Sequence, residues 1–209
     1  MARRRFLDIS QPVDASVACW PGDTPFSSEW TLHLAKGHSC TLSKVTTSLH
    51  NGTHADAPNH FVLGAPGIGE VDPGKYIGPC RVVERIGNGT LTPAEVRRWR
   101  VRRGDRILVR TRRKVNPRVF PAKFAHLTAE SAAALAEAGA VLFGIDTPSV
   151  DHRDSKTLDA HRALFRGGVA ILENLDLSRA RPRRYSLIAP PLRLPGLDAS
   201  PVRALLEWA

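Results

Sequence analysis

The stretch AVLFGIDTPSVDHRDSKTLDAHRALFRGGVAILENL, residues 140–175, decides the fold class. It opens on one continuous apolar run, AVLFGID, and closes on another, VAILENL, each with the length and composition of a strand buried on both faces. Between them TLDAHRALFRGG reads as a helix ended by Gly167 and Gly168. Strand, helix and strand at this spacing make a βαβ crossover, so the two strands are expected to run parallel as neighbours or near neighbours.

Upstream, TAESAAALAEAG reads as an Ala-rich helix capped by Thr128 and stopped at Gly139, and LTPAEVRRWR as a short helix with a capping box of Thr92 and Glu95 and Pro93 at its first position. CRVVERI and RILVRT read as strands, the second entered through a turn at Gly104 and Asp105. The first eighty residues are β-rich in character: DISQPV, TLHLAKGHSCTLSKVTTSL and a histidine stretch, followed by the Gly/Pro-punctuated loop FVLGAPGIGEVDPGKY. Downstream, SLIAPPLRL is expected to be a strand, and SPVRALLEWA a terminal helix begun by Ser200 and Pro201. The expectation is an α/β chain whose residues 1–209 form a single domain, with a β-rich N-terminal part and a βαβ unit in the C-terminal half.

The composition of 42% hydrophobic and 24% charged residues is that of a folded globular protein. Three cysteines without CxxC spacing suggest no disulfide framework and point to a reducing cytoplasm. The basic opening MARRRFLDISQPVD lacks the apolar run of a signal peptide, and no apolar stretch is long enough to span a membrane. The formal net charge of +10 raises the question of nucleic acid. Its densest source, Arg97 to Arg118, is broken by a capped helix, a Gly-Asp turn and an apolar strand core, so it reads as a solvated surface and not as one phosphate-binding stripe.

Chemistry concentrates in HNGTHADAPNHF, His50 to Phe61. Asn51, Gly52 and Pro58 argue against a helix. In an extended segment His54 and Asp56 share a face, and Gly52 lets the backbone curl His50 round to meet them. Two imidazoles and a carboxylate with positions left open suit a catalytic divalent metal, most simply zinc. A surface loop that happens to be His-rich is the plainer alternative, and His33, His38, His126 and His152 are read as structural histidines. Glu173 interrupts a buried apolar run, where an ionised carboxylate is costly unless paired or metal-bound, and His161 lies on the preceding helix. Either residue alone is weak evidence.

HNGTHADAPNHF resembles the HxGTHxDxPxH signature of the cyclase-like metal hydrolases, and within them that of the bacterial kynurenine formamidases, or arylformamidases. The resemblance extends through WPGDTPF (Trp20 to Phe26), DTPSVDHRDSKTLDAH (Asp146 to His161), AILEN (Ala170 to Asn174) and LDASPVRALL (from Leu197), which is nearly the whole chain. It implies a swivelling β/β/α fold, commonly dimeric, and hydrolysis of N-formylkynurenine. It also implies two zinc ions: His50, His54 and Asp56 would hold the first, and Asp56 would bridge to a second held by His161 and Glu173. His60 would act as general acid/base, and Trp20 would lie against the aromatic substrate. The same metal motif would also serve a relative acting on another amide, such as an isatin hydrolase.

Overall fold

The computed structural model describes residues 4–208; the basic opening at Met1–Arg3 and the last residue of the expected terminal helix, Ala209, lie outside them. In chain order the elements are β1 (Arg5–Asp8), β2 (Ser27–Leu32), β3 (Leu42–Thr46), β4 (His54–Asp56), β5 (Ile77–Glu84), β6 (Gly89–Leu91), α1 (Pro93–Arg98), β7 (Arg106–Arg110), β8 (Ala125–Leu127) and α2 (Ala129–Glu137). They continue with β9 (Leu142–Ile145), α3 (Asp159–Arg166), β10 (Ala170–Glu173), β11 (Arg184–Ile188), β12 (Ala199–Pro201) and β13 (Leu205–Trp208).

Nine strands form one sheet in the order β1-β13-β11-β5-β7-β9-β10-β4-β12. Its centre, β5-β7-β9-β10, is parallel, and the βαβ unit pairs β9 with β10 directly, Phe143 opposite Ile171. Side chains alternate between two cores, as the pleat requires. Leu108, Leu142 and Leu172 enter one cluster, whereas Ile107, Phe143 and Ile171 enter the other beneath α2 and α3. Ala55 of β4 and Leu187 and Leu206 of β11 and β13 share the first cluster although their strands lie toward opposite ends of the order, so the sheet curls around it. Gly144 keeps the centre tight, since a Cβ there would fall 2.5 Å from Leu108 Cδ2.

Both expected caps form: Thr92 and Glu95 make the reciprocal capping box of α1, and Thr128 accepts from the Ser131 N–H at the start of α2. The expected terminal helix does not form. Ser200 and Pro201 instead lie in β12 against β4, and the following residues become β13 between β1 and β11. A Ser-Pro start followed by apolar residues suits either element, and two strands needing partners outweigh a weak helical preference. The first strand also lies earlier than DISQPV suggests, ending at Asp8, and β11 stops at Ile188, ahead of Pro190 and Pro191.

Of the arginines between Arg97 and Arg118, Arg106 and Arg110 are engaged inside the protein. Arg106 donates to the carbonyls of Lys75 and Gly74, and Arg110 pairs with Glu84. No helix among the described residues is long and apolar enough to cross a membrane.

Candidate metal centre and active site

β4 lies between β10 and β12, with His54 opposite both Glu173 and Pro201. Two residues apart on this strand, His54 and Asp56 face the same way. Gly52, at φ +67, makes the left-handed turn that brings His50 back over them; a Cβ there would fall 2.5 Å from Val13 Cγ2. α3 supplies His161 and the end of β10 supplies Glu173.

The five side chains the sequence singled out as ligands converge. His50 Nδ1 and His54 Nε2 lie 3.2 and 3.3 Å from Asp56 Oδ1. His161 Nε2 lies 3.3 Å from Asp56 Oδ2 and 3.3 Å from Glu173 Oε1, while the other Glu173 oxygen is 3.4 Å from His54 Nε2. His54, Asp56, His161 and Glu173 are each at most 5% exposed.

Each imidazole has one nitrogen held from outside and the other turned inward. His54 Nδ1 donates to the Gly52 carbonyl at 2.9 Å, and His161 Nδ1 donates to Asp151 at 2.6 Å. His50 Nε2 is 3.0 Å from Asp198 Oδ2. That arrangement fixes tautomer and ring orientation in the manner of histidines around metals. Burial alone would push the Asp56 carboxyl up, but the facing imidazoles of His161, His50 and His54 hold it well below the usual carboxylate range. Burial likewise opposes charge on His54, yet Asp56 and Glu173 lift its pKa to about 10, and Asp198 and Asp56 lift that of His50 to about 9. The cluster therefore attracts positive charge strongly.

A divalent metal fits this donor set. His54 Nε2 and Asp56 Oδ1 are buried without a hydrogen-bond partner among the described residues. The donor spacings of 3.2–3.4 Å match the edge of a tetrahedron with bonds of about 2.0–2.1 Å, which is about 3.3–3.4 Å. Two groupings share Asp56: half-buried His50 with buried His54, and His161 with Glu173, both buried. A shallower grouping joins His50, His60 and Asp198.

His60 sits in the short turn Pro58–His60, its ring 4.3 Å from that of His50 between centroids and its Nδ1 3.7 Å from Asp198. Burial lowers its pKa. A cavity of about 510 Å³ opens onto the cluster, with Trp20, His60, Arg112, Phe120 and Glu173 in its wall. Trp20 meets Phe120 edge to face at 5.1 Å, leaving part of its indole to the cavity. Burial raises the pKa of Cys19, which is the wrong direction for a nucleophile. The remaining histidines lie elsewhere, His33 with His38 and His126 with His152.

Asp151 and Asp198 were missed in the sequence. Each touches a candidate ligand from outside the cluster, and neither has a distinctive local spacing. Asp151 lies within DTPSVDHRDSKTLDAH and Asp198 within LDASPVRALL, so both stretches drew attention without revealing which carboxylate mattered.

The family described as "Putative cyclase" matches residues 7–152. The chain belongs to the cyclase family. Among cyclase-family relatives, the kynurenine formamidase of Bacillus cytotoxicus is 40% identical over 207 residues, covering 99% of both chains. That of Bacillus cereus is 39% identical over the same length and coverage. A solved "predicted metal-dependent hydrolase" from Bacillus stearothermophilus superposes with a TM-score of 0.85 at 26% identity, over 99% of each chain. Isatin hydrolase A from Ralstonia solanacearum shares the cyclase fold, with a TM-score of 0.83 at 22% identity over 99% of this chain and 92% of its own.

Proposed function

We propose that this chain, acting as one hydrolase domain, converts N-formyl-L-kynurenine to L-kynurenine and formate in tryptophan degradation, with zinc as its metal and two ions per subunit. The observation that carries the reading is the pair of ligand groups sharing Asp56 beneath a cavity with an aromatic wall. Full-length likeness to kynurenine formamidases supports the substrate.

The substrate is a formanilide. Its hydrolysis adds water oxygen to the formyl carbon, breaks the C–N bond and delivers a proton to the departing aniline nitrogen. When bound, the zinc ions would supply a hydroxide near neutral pH, by lowering the pKa of water to about 7, and stabilise negative charge on the formyl oxygen.

In this reading Asp56, whose two oxygens face different histidines, and Glu173, which faces both His54 and His161, would help to hold both ions. His60 stands at the cavity wall beside His50, where burial lowers its pKa below the ordinary imidazole value and favours the neutral ring that takes a proton from water and returns it to the leaving nitrogen. Trp20 and Phe120 receive the aryl ring, an aromatic contact worth about 0.5–1.5 kcal/mol.

Homodimerisation is part of the proposal. The β2–β3 hairpin lies outside the large sheet and exposes Trp30, Leu34, Leu42 and Val45, an apolar surface suited to a second copy. Three free thiols suit a reducing compartment, which we take to be the cytoplasm.

The deciding experiment follows N-formylkynurenine hydrolysis by protein as purified, after chelation and after zinc is restored, with metal content measured alongside. Activity that vanishes and returns with about two zinc ions per chain is the expected result. Metal-loaded protein that leaves N-formylkynurenine intact but opens isatin would overturn the substrate assignment.

A further inference from the structure

Arg112 stands in the wall of the same cavity, and what surrounds it distinguishes it from its basic neighbours. Thr111 and Arg112 leave the C-terminal end of β7, and Asp146 leaves that of β9, its parallel neighbour. Carboxyl ends of parallel strands are where open α/β sheets bind ligands. The Asp146 carboxylate accepts the backbone N–H of Arg112 at 3.0 Å and both the N–H and the hydroxyl of Thr111. Both oxygens of this buried carboxylate are thereby committed to fixing where residues 111 and 112 sit.

The guanidinium is left unmatched. Among the described residues it makes no hydrogen bond and no ion pair, although it is half-buried; burial opposes its charge, and the only compensation comes at longer range from the Asp146 carboxylate, whose oxygens are already taken by residues 111 and 112. Arg112 lines the cavity, and none of its five forked N–H donors has a protein hydrogen-bond acceptor among the described residues. Arg106 and Arg110, from the same segment, already have carbonyl or carboxylate partners. Asp23, also in the cavity wall, already accepts from the Thr24 N–H and the Ser48 hydroxyl. A planar carboxylate is the anion that matches a guanidinium fork, through two parallel N–H···O bonds.

We infer that Arg112 binds the carboxylate of an anionic aromatic amide in this cavity, so that the amino-acid end of the substrate is selected as well as its formanilide. The inference deepens the formamidase reading and rests on it. The aryl ring would lie against Trp20 and Phe120, with the formyl group toward His60 and the buried ligands.

The test compares N-formyl-L-kynurenine with N-formylkynuramine, which keeps the formanilide, ketone and amine but lacks the carboxylate. Zinc-loaded wild type, Arg112→Lys and Arg112→Met are assayed for kcat and KM, with metal content and thermal unfolding recorded for each. For Arg112→Met we expect kcat/KM on the carboxylated substrate to fall about 10- to 100-fold, the usual worth of a charged hydrogen-bonded contact, mainly through KM. Turnover of N-formylkynuramine should stay within about threefold of wild type, and Arg112→Lys should fall between, since it keeps charge without the fork. Equal losses on both substrates, or a wild type indifferent to the carboxylate, would overturn the assignment. If Arg112→Met does not fold, the substrate dependence of Arg112→Lys decides. If wild type hydrolyses neither compound, the formamidase reading fails; calorimetric binding of L-kynurenine against kynuramine then decides on Arg112, and affinities unchanged by the substitution reject it.

Discussion

Glu173 and His54 are register partners across the antiparallel β10–β4 pair, and Glu173 Oε2 stands 3.4 Å from His54 Nε2. The backbone ladder itself therefore sets the separation of two candidate ligands. Glu173→Gln keeps the volume and the strand but removes the charge facing His54 and His161. Metal affinity is expected to fall more than about 100-fold, beyond the effect of an outer partner, as measured by competition with a chromophoric chelator. Unchanged affinity would remove Glu173 from the ligand set.

His60 makes a different prediction because it stands in the cavity wall and is not among the two ligand groups that share Asp56. His60→Asn should keep a full metal complement while kcat drops about 10²- to 10⁴-fold, the range for losing a general acid/base. Normal turnover in the metal-loaded variant would exclude His60 from proton transfer.

Asp151 has two duties. α3 begins after Leu158, which is at φ +52 and offers no side-chain cap, so the N–H groups of Ala160 and His161 are met instead by the Asp151 carboxylate. The same carboxylate accepts from His161 Nδ1. Asp151→Asn should weaken metal binding about 10- to 100-fold and cost about 1 kcal/mol of stability, because the amide keeps only one of the two oxygens that accept the Ala160 and His161 N–H groups. Denaturant unfolding of metal-free protein reads the second effect separately. Loss of neither would show that His161 is oriented by packing alone.

Asp146 should reverse the usual pH dependence of a carboxylate. Burial lifts its pKa from 3.8 to about 6, despite hydrogen bonds from Thr111 and Arg112 that favour ionisation. The folded chain thus binds this proton more tightly than the unfolded one, and ionisation costs stability fully above about pH 6, with relief as pH falls toward 3.8. Relative to Asp146→Asn, metal-free wild type should lose about 2 kcal/mol between pH 4.5 and 7.5. Denaturant midpoints at the two pH values measure it, and a difference that does not change with pH would count against the raised pKa.

The parallel centre of the sheet was legible because its signals are local. The runs around Phe143 and Ile171 are apolar on both faces, and Thr92 and Thr128 announce their helices. Ser200 and Pro201 misled because the same two residues can begin a helix or lie in a strand; only the vacant edge of β4, about 145 residues earlier in the chain, settles the matter. His50, His54 and Asp56 were readable from spacing within seven residues. Their convergence with His161 and Glu173 was carried by resemblance, and the roles of Asp151, Asp198 and Arg112 arise only through space, where a sequence has no period to show.

The placement of β4 between β10 and β12 also sets an order of events. A ribosome delivers His50, His54 and Asp56 within the first quarter or so of the chain, but the strands that flank β4 are residues 170–173 and 199–201. Loop closure over more than a hundred residues must precede the site, a slow, non-local step. The nascent chain therefore carries its histidines for most of synthesis as an open segment without Glu173 or His161, and capture of the full metal complement becomes a late event that reports completed folding.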